Sequence, residues 1–151
     1  MIYWEEKLSV GVEIIDEDHK GLFVLINAIE SALSDNAGSA HIGAAIDALC
    51  EYAVDHFKRE ETLMVLCGYS AQEHHESEHD QFRDVVKSLH KLHYVCPEMV
   101  SVSGTVKYLN KWLLNHIAGS DSLYVDQMSK HKNLVDVVSA NFLDRLRLDA
   151  L

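Results

Sequence analysis

Apolar residues recur every three to four positions along four stretches of the chain, the period of an α-helix with one buried face. Residues 17–35 carry Leu22, Phe23, Ile26, Ile29 and Leu33 on one stripe, with Asp16 ahead of them as the expected N-cap. The turn-rich Ser34-Asp35-Asn36-Ala37-Gly38-Ser39 ends that stretch. Residues 41–66 carry Ile42, Ala45, Ile46, Leu49, Tyr52, Ala53, Leu63 and Met64, and Gly68 follows as a left-handed stop. Residues 71–94 place Phe82, Val86 and Leu89 on one face before Pro97 forbids much continuation. The fourth stretch starts near Val102 and uses Val106, Leu109, Trp112 and Leu113, with Gly119 loosening it before Tyr124, Val125 and Met128. Short connections make successive helices antiparallel neighbours, so the pattern predicts an all-α, up-down-up-down four-helix bundle.

The first sixteen residues lack this period, and Trp4, Leu8, Val10, Val12 and Ile14 suit an extended arm packed along the bundle. Beyond the fourth stretch, residues 131–151 keep Val135, Val138, Phe142 and Leu146 at helical spacing. They are read as a C-terminal helical extension of the same domain, docked on a bundle formed by residues 1–130, with a surface for self-association or a protein partner as the alternative.

Polar residues interrupt the stripes where core side chains belong: His19, His56, Glu60, His75, His79, His116 and Asp121. An interior accepts such groups only when they are paired, hydrogen-bonded or coordinating a metal, and seven in one small core exceed ordinary pairing. His56 and Glu60 are four apart, as are His75 and His79, so each pair projects from one face on successive turns. In antiparallel packing all four helices offer these residues near the same end of the bundle. Seven donors exceed the need of one ion, so two are implied. Carboxylates have two oxygens, which makes Glu60 and Asp121 the natural bridges and the imidazoles terminal ligands. Imidazole suits iron, copper, zinc and nickel. If each ion is six-coordinate with two carboxylate bridges and one solvent-derived bridge, three histidines complete one ion, and two leave the other an open position for a diatomic gas. Asp121 poses a geometric problem: five residues of regular helix put it about 140° around from His116. Both reach one site only if residues 116–121 depart from α-geometry, and Gly119 and Ser120 lie between them. His41, His74, His90, His93 and His131 fit no such set; His74 is five from His79, and His93 lies on its apolar stripe four turns from the others.

Bulk properties narrow the partners. At 151 residues the chain suits one domain. A net charge of −11 disfavours nucleic acid and anionic membrane. The start Met1-Ile2-Tyr3-Trp4-Glu5-Glu6 lacks a signal-peptide pattern and no apolar run is long enough to insert in a membrane, so a cytoplasmic location is expected. Cys50, Cys67 and Cys96 form no CxxC pair and are expected as reduced thiols. Apart from Glu60, the Glu5-Glu6 and Glu60-Glu61 stretches read as solvated faces.

These residues resemble the hemerythrin family, in particular its single-domain bacterial members (bacteriohemerythrins), over about residues 4–128. The likeness rests on Trp4, Gly11-Val12, Ile15-Asp16-Glu17-Asp18-His19, His56-Phe57-Lys58-Arg59-Glu60-Glu61, His75-Glu76-Ser77-Glu78-His79, and Trp112-Leu113-Leu114-Asn115-His116-Ile117 leading to Asp121. The resemblance implies an oxo- or hydroxo-bridged di-iron centre as cofactor. His75, His79 and His116 would serve one iron, His19 and His56 the other, and Glu60 and Asp121 would bridge. Dioxygen would bind at the two-histidine iron, and Phe57, Trp112, Leu113 and Ile117, beside the ligands, would form the family's apolar pocket.

Reversible dioxygen binding for storage, delivery or buffering is the leading expectation, with no enzyme activity. Sensing of oxygen, nitric oxide or redox state through a partner is the alternative. A ferritin-like di-iron enzyme wants two Glu-x-x-His motifs and two further glutamates. The chain offers one such motif, Glu76 to His79, and Glu76 is off the stripe.

Overall fold

The structure, a computed structural model, describes residues 1–35 and 37–149, with side chains for all of these except 102–103 and 144–149. Asn36 of the expected turn and the Leu146 side chain of the expected C-terminal stripe lie outside the described residues. The chain is an all-α bundle, and among the described residues there is no strand. Three rods are regular: α1 (Glu13–Ser34), α2 (Ser39–Cys67) and α3 (Gln72–Val95). The fourth is composite, running from a π-helical Val102–Val106 through α4 (Lys107–His116) and a second π-helical stretch, Ile117–Asp121, into α5 (Ser122–Lys130). A last helix, α6 (Lys132–Asp149), folds back on the bundle. α2 packs between α1 and α3, and the fourth rod closes the bundle against α1. Among the described residues no helix is long and apolar enough to cross a membrane.

Helix ends follow local chemistry. Gly68 adopts φ 64°, and the Tyr69 and Gly68 amides return to the Met64 and Val65 carbonyls, the hydrogen-bond pair of a Schellman stop. α3 ends at Val95 because Pro97 drives Cys96 out of helical geometry. α1 departs from expectation by starting at Glu13, and Asp16 is not its N-cap. The Asp16 carboxylate instead accepts from the Val10 amide at 2.8 Å and the Ser9 hydroxyl at 2.6 Å. It fastens the arm from inside the first turn, and Gly11, at φ 73°, supplies the left-handed residue that turns the arm into the helix.

The core is split in two. The larger cluster gathers Leu22, Phe23, Ile26 and Ile29 of α1, Ile46, Leu49 and Phe57 of α2, Phe82, Val86 and Leu89 of α3, and Leu109, Leu113 and Ile117 of the fourth rod. The smaller holds Val10 and Val12 of the arm, Ile14 and Ile15 of α1, and Leu63, Met64, Cys67, Tyr124 and Met128. Ile14 is helical and not in the extended arm as expected. Val135 of α6 is buried in it, and Val138 and Phe142 pack on its edge. On α1, α2 and the fourth rod the polar residues singled out by sequence fall between a residue of one cluster and a residue of the other, as Ile15, His19 and Leu22 do on α1, and on α3 His75 and His79 precede Phe82 of the larger cluster. They form a buried polar layer across the bundle. His93 lies far from that layer and is a core histidine, its Nε2–H donating to the Ser39 carbonyl at 2.9 Å. Cys50, Cys67 and Cys96 are free thiols.

Candidate metal centre

His19, His56, Glu60, His75, His79, His116 and Asp121 all converge in this layer, each at most 5 % exposed. Their arrangement has two halves. On one side the Nε2 atoms of His75 and His79 stand 3.4 and 3.0 Å from Glu60 Oε2. Those of His75 and His116 stand 3.3 and 3.1 Å from Asp121 Oδ1. On the other side His19 Nε2 is 3.1 Å from Asp121 Oδ2 and 4.0 Å from Glu60 Oε1. His56 Nε2 completes this half at 4.0 Å from Glu60 Oε2, with its ring centroid 4.9 Å from that of His19. Asp121 thus offers one oxygen to each half, and Glu60 stands between them. Spacings near 3 Å are those of neighbouring ligands on an octahedral ion with bonds of about 2.1 Å.

Two observations test whether a cation fits. Both nitrogens of His19 and of His56, His75 Nε2, Glu60 Oε2 and both Asp121 oxygens are buried without a hydrogen-bond partner. Orphaned polar atoms at this density cost several kcal/mol unless something shared satisfies them. The second is the His79–His116 pair. Their Nδ1 atoms face Glu61 and Glu78 at 2.8 and 3.0 Å, carboxylates that accept an N–H. With Nδ1 as the donor in each ring, the two Nε2 atoms face one another at 3.1 Å, an arrangement that a cation between them relieves. Glu60, His75, His79 and His116 form one group able to hold an ion, and His19, His56 and Glu60 another.

The π-helical Ile117–Asp121 delivers Asp121 to this layer. A single π-turn accommodates one residue more than an α-turn, so five residues bring the chain back to the face that four would reach. This is the departure that the His116–Asp121 spacing requires. Phe57 and Trp112 stack on the rings of His79 and His116, at 4.0 and 4.4 Å between centroids. Leu113 and Ile117 sit beside Phe57 in the larger apolar cluster. His41, His74 and His131 are exposed and His90 half-buried, all outside the layer.

Of the surrounding network, Glu61 and Glu78 carry no stripe signal, and Tyr124 reads in the sequence only as an apolar stripe position. Glu61, far from being a solvated face, is held at 2.6 Å by Arg83 while it faces His79 Nδ1. Glu78 accepts from Ser120 at 2.5 Å while it faces His116 Nδ1. Tyr124, one turn after Asp121, donates its hydroxyl to Glu60 Oε1. Burial and the Glu60 and Asp121 charges push its phenol well above its ordinary pKa, so it remains a donor. Their partial signal is position, since Glu61 and Glu78 each adjoin a cluster residue. A cleft of about 180 Å³ lined by Glu78, Trp112, His116 and Ser120 reaches His116 of the three-histidine half.

Electrostatics agree with a site built for positive charge. Burial and the Asp121 charge push Glu60 up, but pairing with His75 and His79 prevails and holds it far below the usual carboxylate range. Asp121 is likewise lowered, its burial outweighed by His116, His19 and His75. Burial pulls His75 down, yet Asp121 and Glu60 push it up to about 9. Burial also depresses His56, and there it wins despite Asp18. In the metal-free chain, protons therefore substitute for cations. A raised histidine pKa contributes stability that is complete below its unfolded value of about 6.5 and is lost as pH rises through the folded value. The chelated protein is expected to lose about 2 kcal/mol, roughly 5 °C in Tm, between pH 6.5 and 9. The metal-loaded protein should not show this loss, because metal binding strengthens as competing protons leave. Thermal melts of both forms across that range check it, and parallel pH profiles would refute it.

Fold and site together define a helical bundle with a buried imidazole–carboxylate centre that can hold cations. The family described as hemerythrin HHE cation binding domain matches residues 10–128, and the chain belongs to the hemerythrin family. It is 31% identical over 133 residues to the bacteriohemerythrin of Stenotrophomonas maltophilia, covering 88% of this chain and 85% of that one. It is 32% identical over 124 residues to the bacteriohemerythrin of Methylococcus capsulatus, covering 82% of this chain and 93% of that one. A crystal structure of wild-type hemerythrin superimposes with a TM-score of 0.78 at 32% identity, covering 85% of this chain and 98% of that one.

Proposed function

We propose that the protein binds dioxygen reversibly at a pair of iron ions, for storage, delivery or buffering in the cytoplasm, and that it is a binding protein and not an enzyme. The observation that carries this reading is the division of five imidazoles into a group of three and a group of two about two carboxylates. His75, His79 and His116 would hold one iron and His19 and His56 the other, with Glu60 and Asp121 bridging. The names of its bacteriohemerythrin relatives support the choice of iron and dioxygen. When bound, the iron pair would supply a reducible centre able to take up a diatomic gas.

The chain's own residues keep that centre dry and its ligands aimed. Glu61 and Glu78 fix the ring orientations of His79 and His116 by accepting hydrogen bonds from their Nδ1–H groups. Tyr124 pins Glu60. At the two-histidine half, His19 and His56 are 0 % and 1 % exposed, and aromatic rings of Trp4 and Phe57 lie 6.4 and 5.2 Å from theirs. Water and free acids are thereby kept from a bound gas, as reversible carriage demands. The enzyme alternative lacks its donors: Glu76, of the one Glu-x-x-His motif, is engaged by Gln72 at 2.5 Å and stands outside the cluster. Residues 1–130 are proposed as the metal-binding bundle and 131–151 as an extension of the same domain, a reading supported by burial of Val135 beside Tyr124.

Anaerobic reconstitution should load two irons per chain, and admitting oxygen should produce a visible charge-transfer band that disappears when oxygen is removed. One metal per chain, or no colour change in any redox state, overturns the proposal. Leu113 is 1 % exposed and lies one turn before His116. Leu113→Ala is expected to cost about 2–4 kcal/mol by leaving a cavity, and to speed autoxidation by admitting water without loss of iron. Unchanged autoxidation in the folded variant would remove Leu113 from the pocket.

A further inference from the structure

The two-histidine half has support of a different kind from the three-histidine half. His79 and His116 turn their Nδ1 atoms to Glu61 and Glu78, carboxylates at the bundle surface that are 22 % and 28 % exposed. Behind His56 lies Asp18, buried at 5 %, with Oδ2 3.4 Å from His56 Nδ1. Arg59, itself 7 % exposed, grips that carboxylate with both prongs of its fork, Nε to Oδ2 and Nη2 to Oδ1, each at 2.7 Å. The Tyr52 hydroxyl closes the assembly at 3.4 Å from Oδ1. Room for Tyr52 comes from Gly21, where a Cβ would fall 2.1 Å from the phenol oxygen. One helix thus supplies the carboxylate and the gap, and the other supplies the guanidinium, the phenol and the imidazole that they back.

Resting on the metal reading above, we infer that Asp18, clamped by Arg59, is the positioning residue of the two-histidine half. It holds His56 with Nδ1 turned outward and Nε2 aimed at the metal. A buried carboxylate alone would do this at the cost of a third negative charge beside Glu60 and Asp121. Arg59 cancels that charge and fixes the carboxylate plane, which a flexible lysine would not do. Neither His19 Nδ1 nor His56 Nδ1 makes a full hydrogen bond, but of the two His56 Nδ1 alone has a carboxylate within ion-pair reach, Asp18 Oδ2 at 3.4 Å, so the aim of this half depends on His56 and its backing. The ion held by His19 and His56 is therefore the more readily lost of the two when the backing fails.

The test separates a role in aiming His56 from a role in holding the helices together. Ferrous iron is titrated anaerobically into wild type, Asp18→Asn and the double variant Asp18→Leu/Arg59→Met, against a competing chromophoric chelator, and the metal-free forms are melted in parallel. Loss of a supporting carboxylate behind a ligating histidine weakens metal affinity by about 10–100-fold. Asp18→Asn should show that loss for one ion and leave the other unchanged. The double variant removes a whole buried ion pair and fills its space, so its metal-free melting temperature should match or exceed wild type while its weaker ion stays 10–100-fold weaker. If Asp18→Asn does not fold, the double variant carries the test alone. Equal affinities for both ions in the variants and wild type overturn the inference, and so does a double variant that regains affinity along with stability. A wild-type chain that takes up fewer than two irons overturns the metal reading itself, and is distinguished by failing before any variant is compared.

Discussion

Stripping the metal ions with a chelator at neutral pH is expected to lower Tm by roughly 15–30 °C while leaving the chain helical. Each bound ion stabilises the folded state by about 4 kcal/mol when its free concentration is a thousandfold above Kd, and two together contribute about 8 kcal/mol. For a domain of this size each kcal/mol moves Tm by about 2–4 °C. The structure shows why the loss is large: the polar layer separates two apolar clusters, so without cations the bundle is interrupted by unpartnered imidazoles and carboxylates. Unfolding is not expected to be complete, since Glu60 and Asp121 can borrow charge from a protonated His75. Restoring ferrous iron should restore Tm. Melting curves that coincide with and without chelator would show that the layer is satisfied by protein groups alone.

The bundle and this layer were legible in sequence because both arise from one signal, the helical period and its violations. Apolar stripes locate the rods, and a histidine or carboxylate on a stripe marks a position where burial must be compensated. Groups that act from beside the stripe leave no such trace. Asp18 adjoins His19 and Arg59 adjoins Glu60, and each would read as an ordinary surface charge; only the packing of α1 on α2 buries them against one another. Glu61 reads as solvated for the same reason. The start of α1 was misplaced because Asp16 has the chemistry of a cap and spends it on the arm. Helix α6 shows the converse, a weak stripe whose docking is decided by Val135 finding an unfilled edge of the smaller cluster beside Tyr124.

The π-turn before α5 separates two changes that a contact list would treat alike. Asp121→Ala removes the side chain that offers one oxygen to each half of the centre. It leaves His19 and His116 facing a gap, and is expected to abolish stable binding of the second iron and to weaken the first, read as fewer than two irons per chain after gel filtration. Deletion of the exposed Gly119 looks more drastic and should be milder. The π-helical Ile117–Asp121 holds one residue beyond the α-helical count. Removing that residue lets the rod relax to a regular α-helix with the aspartate four positions after His116, on the same face. The shortened chain should still load two irons, losing mainly the Ser120 contact to Glu78. If the deletion strips the metals as thoroughly as Asp121→Ala, the π-turn sets more than the rotation of Asp121. If Asp121→Ala retains both irons at wild-type affinity, Asp121 is no bridge and Glu60 alone spans the pair.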